Sequence, residues 1–182
     1  MFCGHGEGWR LSSRGGVVTL PKADKRAGET VPTELYFEDL HPGMKFNSSR
    51  SYKVTAEEIK QFAENYDPQP FHLDEAAGES SFFKGLAASG WLTAAIVMRL
   101  RVESFRIAGG MIGAGVDEMR WMQPVRPGDS LRTEAEIIET RLSHNRPQYG
   151  VVKSRTLVYN QRGETVMRSV VNFLAPLKEV AS

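Results

Sequence analysis

Asp67 and His72 stand five residues apart in Tyr66-Asp67-Pro68-Gln69-Pro70-Phe71-His72. An acid and an imidazole held on one cavity form a general acid/base pair, because both exchange protons near neutral pH with modest tuning. Pro68 and Pro70 each fix a φ angle and bias Asp67 and Gln69 toward extended backbone, so residues 67 to 71 are predicted to be non-helical. Side chains alternate sides along an extended chain, so the two groups point apart unless the chain turns between them. A turn around Gln69 and Pro70 brings both onto one cavity. A second reading of the same residues stays open: Asp before Pro is a common turn residue, and a lone His often serves structure alone.

The next stretch, Leu86 to Leu100, is charged only at Arg99 and has small residues at Ala87, Ala88, Ser89, Gly90, Ala94 and Ala95. It is too short to span a bilayer, which takes about 20 apolar residues, and reads as a helix buried inside a domain. Ser89 is a natural N-cap, with Gly90 opening the first turn. The free amides there and the helix dipole favour a developing oxyanion, and a glycine lets a carbonyl approach closely. The alternative is that Ser89 and Gly90 simply cap a core helix.

Several elements must position these groups. His41-Pro42-Gly43-Met44 is a turn signal that leaves His41 at the surface, and Lys45 to Val54 reads as one strand. Thr55 then caps a helix, Glu58 completes a capping box, and Val54 staples onto Ile59. Ile59, Phe62, Ala63 and Tyr66 recur at i, i+3, i+4 and i+7, an inward face that delivers Asp67 to the buried helix end. Beyond the central helix, Arg99, Arg101, Glu103 and Arg106 mark its emergence into solvent, and Gly109-Gly110 ends the crossover. Met111 to Trp121, Ser130 to Arg141, Tyr149 to Asn160 and Glu164 to Leu174 read as strands, the last two joined as a hairpin across Gln161-Arg162-Gly163. Their short connections predict antiparallel neighbours in sequence order. The class is α+β; a βαβ dinucleotide fold is disfavoured because no Gly-rich fingerprint follows a strand.

Asp67-Pro68-Gln69-Pro70-Phe71-His72 with Leu73-Asp74, the Ala88-Ser89-Gly90 helix start and Gln123-Pro124-Val125-Arg126-Pro127-Gly128-Asp129 resemble the MaoC-like, (R)-specific enoyl-CoA hydratase family over about residues 35 to 176. The resemblance implies a hotdog fold, a curved antiparallel sheet wrapped around one long helix. It makes Asp67 and His72 the catalytic pair and the Gly90 amide the binder of the thioester carbonyl. The implied reaction is reversible hydration of a trans-2-enoyl thioester to an (R)-3-hydroxyacyl thioester, with Asp67 on the water and His72 delivering the proton, or the reverse. No metal or organic cofactor is required, CoA being part of the substrate. The chain departs from the family pattern at Gln69 (usually Asn), Phe71 (small aliphatic), Ser89 (often His) and Met98 (frequently Ser). A thioesterase and a non-catalytic acyl-CoA-binding subunit are the rival readings on the same fold. Hotdog domains usually pair, so a homodimer or higher homo-oligomer is expected.

Substrate-binding candidates are Gln69, Phe71, Ser89, Trp91 and Arg146. Arg146, in the basic loop Arg141 to Gln148, suits a bidentate contact to the phosphates of a CoA or carrier-protein thioester; a solvated hairpin loop is the other reading. His144 in that loop has no feature that makes it catalytic. Trp91, Met98, Met119, Trp121 and Met122 either line an acyl pocket or belong to the core.

A formal net charge of +1 gives no electrostatic case for nucleic acid, and 41% hydrophobic residues is ordinary for a globular chain. Cys3 is the one cysteine, so no internal disulfide and no zinc-like cluster is expected; Cys3 with His5 is weak evidence for a metal or thiol site. No secretory signal is visible, and a cytoplasmic location with no membrane partner is expected. Residues 1 to 33 read as a loosely ordered extension, with an extra strand through Gly16 to Leu20 as the alternative; 34 to 177 form the hotdog domain and 178 to 182 a tail.

Overall fold

The computed structural model describes residues 34 to 178; the readings of Cys3, His5, the strand through Gly16 to Leu20 and the last four residues lie outside them. After a 3₁₀ turn at Phe37–Asp39 come β1 (Lys45–Asn47), β2 (Tyr52–Lys53) and α1 (Ala56–Tyr66). Two short helices follow, α2 (Pro70–Leu73) and α3 (Glu75–Ser80), then the central α4 (Gly90–Ser104). The chain closes with four long strands, β3 (Ile112–Trp121), β4 (Ser130–Leu142), β5 (Tyr149–Tyr159) and β6 (Thr165–Pro176). The sheet is antiparallel throughout, in the order β1-β4-β5-β6-β3, with β2 also pairing β4.

Alternation decides which face is buried. Leu131, Thr133, Ala135 and Ile137 of β4, and Val152, Ser154, Thr156 and Val158 of β5, point inward at every second residue. Leu92, Ile96, Val97 and Leu100 of α4 pack into one core cluster with Val54, Ile59, Leu131, Val158, Val166 and Met167. A second cluster around Ile137, Val152 and Phe173 lies near the end of α4, where Phe105 and Ile107 join it. Register shifts in β3 and β4 add the local twist that curls a sheet around a helix.

Five sequence expectations change. β3 pairs with β6 rather than with β4, because the loop 123–129 carries two prolines that cannot donate to a ladder and takes the chain across to the other side of the sheet. The single strand expected over Lys45 to Val54 is two short pieces, both on β4. Thr55 caps α1 by accepting the Glu58 N–H at 3.2 Å, but the Glu58 carboxylate does not return the bond. It accepts from the Tyr52 hydroxyl at 2.5 Å, and burial together with that bond pushes the Tyr52 phenol up to about 12. Tyr66, expected inward, is 76% exposed at the last residue of α1.

Arg101 is the fifth. It is 3% exposed, not solvated, with Nη2 donating to Ser154 Oγ at 2.8 Å and its guanidinium 5.9 Å from the Phe173 ring centroid. No carboxylate pairs with it among the described residues, and burial lowers its pKa to about 10.

Candidate active site

The local sequence explains how Asp67 and His72 meet. Asp67 is the C-cap of α1, its N–H still bonded to Ala63 O, and two residues of extended chain follow. Pro70 then opens α2, a position a proline suits because a first-turn N–H has no intrahelical acceptor. The expectation of non-helical backbone through residue 71 is therefore corrected: the turn at Gln69 is the start of a one-turn helix, with His72 N–H donating to Gln69 O at 2.9 Å. His72 Nε2 comes to 3.5 Å from Asp67 Oδ2. The imidazole is nearly enclosed, with 7% of its side chain exposed, while the Asp67 carboxylate keeps 23%.

Each remaining polar atom of the pair can be assigned. His72 Nδ1 lies 2.7 Å from Ala87 O. A carbonyl only accepts, so Nδ1 carries the hydrogen, and in the neutral ring Nε2 presents its lone pair toward Asp67. Asp67 Oδ2 accepts from Ser89 Oγ at 2.6 Å, leaving Oδ1 without a protein donor among the described residues. Ser89 is fully buried and is the N-cap of α4, its hydroxyl oxygen accepting the Trp91 N–H at 3.2 Å. The start of the central helix is thereby bonded to the acid.

Gly90 is the first residue of α4, and its N–H has no acceptor among the described residues. A glycine is required here for a reason the sequence did not carry. An added Cβ would fall 2.5 Å from Cε2 of Trp121, whose Nε1 donates to Gly90 O at 2.9 Å. Trp91 meets the Trp121 ring edge-on with centroids 5.6 Å apart, and Phe71 meets His72 the same way at 4.6 Å. The apolar wall of the site is thus aromatic, with Phe83 against Phe71 at 5.0 Å.

Of the substrate-binding candidates, Phe71, Ser89 and Trp91 gather around the pair. Ser89 has both hydroxyl functions occupied by protein. Gln69 is exposed and takes part through its backbone, which makes the turn. Arg146 stands apart: its loop follows Leu142, twelve residues along β4 from Ser130, about 40 Å at 3.3 Å per residue. The Trp121 end of β3, where the pair lies, aligns with Met167, whereas the Arg146 loop abuts the end of β6 at Pro176. Of the candidate pocket or core residues, Trp91, Met98, Trp121 and Met122 are exposed in the single chain, not core. His41 and His144 are both exposed. A 340 Å³ concavity lies elsewhere, on the sheet face opposite α4, where Lys153 is already paired with Asp117 at 2.9 Å. Among the described residues no acidic, His or Cys cluster is arranged for a metal, and no helix is long and apolar enough to cross a membrane.

Two participants carry little signal in sequence. The Ala87 carbonyl acts through backbone, which residue type does not reveal. Trp121 reads in sequence as a pocket or core residue, but its packing on Gly90 and its bond to Gly90 O span 31 residues and leave no local mark.

The family description "MaoC like domain" matches residues 38 to 159, well over half of the chain. The chain belongs to the MaoC-like dehydratase family. A MaoC-like dehydratase from Rhodospirillum rubrum has a similar structure, TM-score 0.75 at 47% identity, covering 80% of this chain and 99% of that one. The (R)-hydratase PhaJ1 of Pseudomonas aeruginosa superposes with a TM-score of 0.64 at 25% identity, over 82% of this chain and 93% of its own. The uncharacterized protein YdeM of Bacillus subtilis is 31% identical over 127 residues, 69% of this chain and 89% of that protein. The mesaconyl-CoA hydratase of Haloarcula marismortui is 31% identical over 119 residues, 65% of this chain. The match spans 32% of that hydratase's length. The hotdog expectation stands with these structural neighbours: one long helix against a six-stranded antiparallel sheet.

Proposed function

We propose that this protein reversibly hydrates a trans-2-enoyl thioester to the (R)-3-hydroxyacyl thioester. The observation that carries the reading is the 3.5 Å approach of the imidazole Nε2 to a carboxylate, beside the Gly90 N–H of a helix start, which has no acceptor among the described residues. In this reading the Gly90 N–H binds the thioester carbonyl and stabilises the enolate as charge develops, a donor of a kind whose removal elsewhere costs about 3 to 4 kcal/mol. Asp67 Oδ1 holds and polarises the water. Nε2 of His72 takes one proton as the water oxygen bonds to C3, and the carboxylate 3.5 Å away stabilises the imidazolium. The same proton then passes from Nε2 to C2, which restores the neutral ring and balances the addition. The chemistry calls on no metal or organic cofactor.

The family and the names of its relatives support hydration of an enoyl-CoA. In this reading the large side chains Phe71, Phe83 and Trp121 favour a short or medium acyl group. A second copy of the chain is the proposed partner. Trp91, Met98 and Val102 of α4 are exposed on one face, and β3 exposes Ile112, Val116 and Trp121 while pairing, among the described residues, only with β6.

The test is to follow the enoyl-thioester absorbance with crotonyl-CoA and mesaconyl-CoA while monitoring free thiol. Loss of the enoyl band without thiol release is expected; thiol release in step with it would move the protein to the thioesterases.

A further inference from the structure

We infer that Arg126 is a positioning residue for His72, acting through the backbone of Leu86 to Ala88. Its consequence for turnover rests on the hydratase reading above; its consequence for the imidazole does not.

The two peptide units that flank the Ala87 α-carbon each bond in both directions. In the first, Leu86 O accepts from Arg126 Nη1 at 3.3 Å while Ala87 N–H donates to Phe71 O at 3.2 Å. In the second, Ala88 N–H donates to Val125 O at 2.8 Å while Ala87 O accepts from His72 Nδ1 at 2.7 Å. A trans peptide is planar with its N–H and C=O opposed, so a bond that fixes one end aims the other. Val125 and Arg126 therefore hold the far side of the segment whose near side sets the ring orientation and tautomer of His72.

The guanidinium is built into this place. Arg126 Nη2 also donates to Phe83 O, and the turn between its two carbonyls runs through Lys84 at φ 53° and Gly85 at φ 140°. Gly85 suits this turn because side chains rarely adopt its φ, and a Cβ there would stand 2.9 Å from Nη1, so the guanidinium would have to shift. The Arg126 backbone is fixed in turn by Pro124 and Pro127 on either side and by Asp129 Oδ2, which accepts its N–H at 2.8 Å. Of the four bonds through Leu86 to Ala88, the one from Arg126 comes from a side chain outside the pair's own turn, and a substitution can remove it.

The experiment uses the full chain labelled with ¹⁵N-histidine, comparing wild type with Arg126→Gln and Arg126→Lys. Imidazole ¹⁵N shifts report the tautomer directly. Wild-type neutral His72 is expected as the Nδ1–H form. Arg126→Gln is expected to shift it toward the Nε2–H form that free imidazole favours, and Arg126→Lys, a point charge unable to span both carbonyls, to fall between. Turnover of the Gln variant should drop by about 10- to 100-fold with KM within about threefold, the signature of misplacement rather than lost binding. A folded Arg126→Gln protein with the wild-type ¹⁵N pattern overturns the inference. So does a raised KM at unchanged kcat, which would make Arg126 a substrate-phosphate contact. If Arg126→Gln does not fold, the ¹⁵N pattern of Arg126→Lys decides alone. Should the wild type hydrate no enoyl thioester, the functional reading fails while the ¹⁵N comparison still decides the clamp.

Discussion

Replacing Gly90 with alanine tests how the helix start and β3 are fitted together. The new methyl would fall 2.5 Å from Cε2, 2.8 Å from Nε1 and 2.9 Å from Cδ2 of Trp121. These atoms lie in the middle of the indole, so the whole ring must shift, breaking the 2.9 Å bond from Nε1 to Gly90 O. Overpacking costs about 1 to 3 kcal/mol and the lost hydrogen bond about 1 kcal/mol. Alanine's helix preference over glycine returns up to about 1 kcal/mol. The net expectation is a loss of about 1 to 3 kcal/mol, read as a shift in urea midpoint. Trp121→Ala removes the clash, so Gly90→Ala in that background should cost nothing or stabilise slightly. The coupling in this double-mutant cycle should exceed about 1 kcal/mol. Additive effects, or a Gly90→Ala protein as stable as wild type, would refute the reasoning that the indole dictates the glycine.

Further outcomes follow from charges. Arg101→Met removes a buried cation that has no carboxylate among the described residues and should leave stability unchanged or raise it by roughly 1 to 3 kcal/mol; a large loss would mean that the Ser154 and Phe173 contacts dominate. The Arg50 guanidinium, bonded to Glu103 at 2.8 Å, and Arg99 after it hold the Glu103 carboxyl below its ordinary value. A depressed acid contributes stability that is present above its unfolded pKa and lost as pH falls through the folded one. Thermal melts of Glu103→Gln should therefore fall closer to wild type as the pH drops from about 5 toward 3, and a constant difference would contradict the assignment.

Much of this structure is local enough to read from residues. Thr55 and Ser89 declare their helices because a side-chain oxygen before an apolar run satisfies amides nothing else can, and the hairpin at Gly163 needs only a turn and two alternating flanks. The family motifs lead to Asp67 and His72 for the same reason of locality. What escapes is set at a distance. Strand order is decided by where the 123–129 loop lands, not by its length. Arg101 looks solvated until the sheet's Ser154 and Phe173 close over it. Ser89 reads as a cap or a substrate ligand because its bond to Asp67 spans 22 residues. Pro70 looks like a helix breaker, although the first turn is the one place a helix accepts it.

The central claim is that Asp67 and His72 act together on an enoyl thioester. The most direct measurement is crotonyl-CoA hydration by wild type, Asp67→Asn and His72→Gln, each confirmed as folded by its circular dichroism melt. Each variant should lose about 10² to 10⁴ in kcat, with the double variant little worse than either single one, since the two groups serve one proton transfer. Either variant retaining activity within about tenfold of wild type would contradict the account.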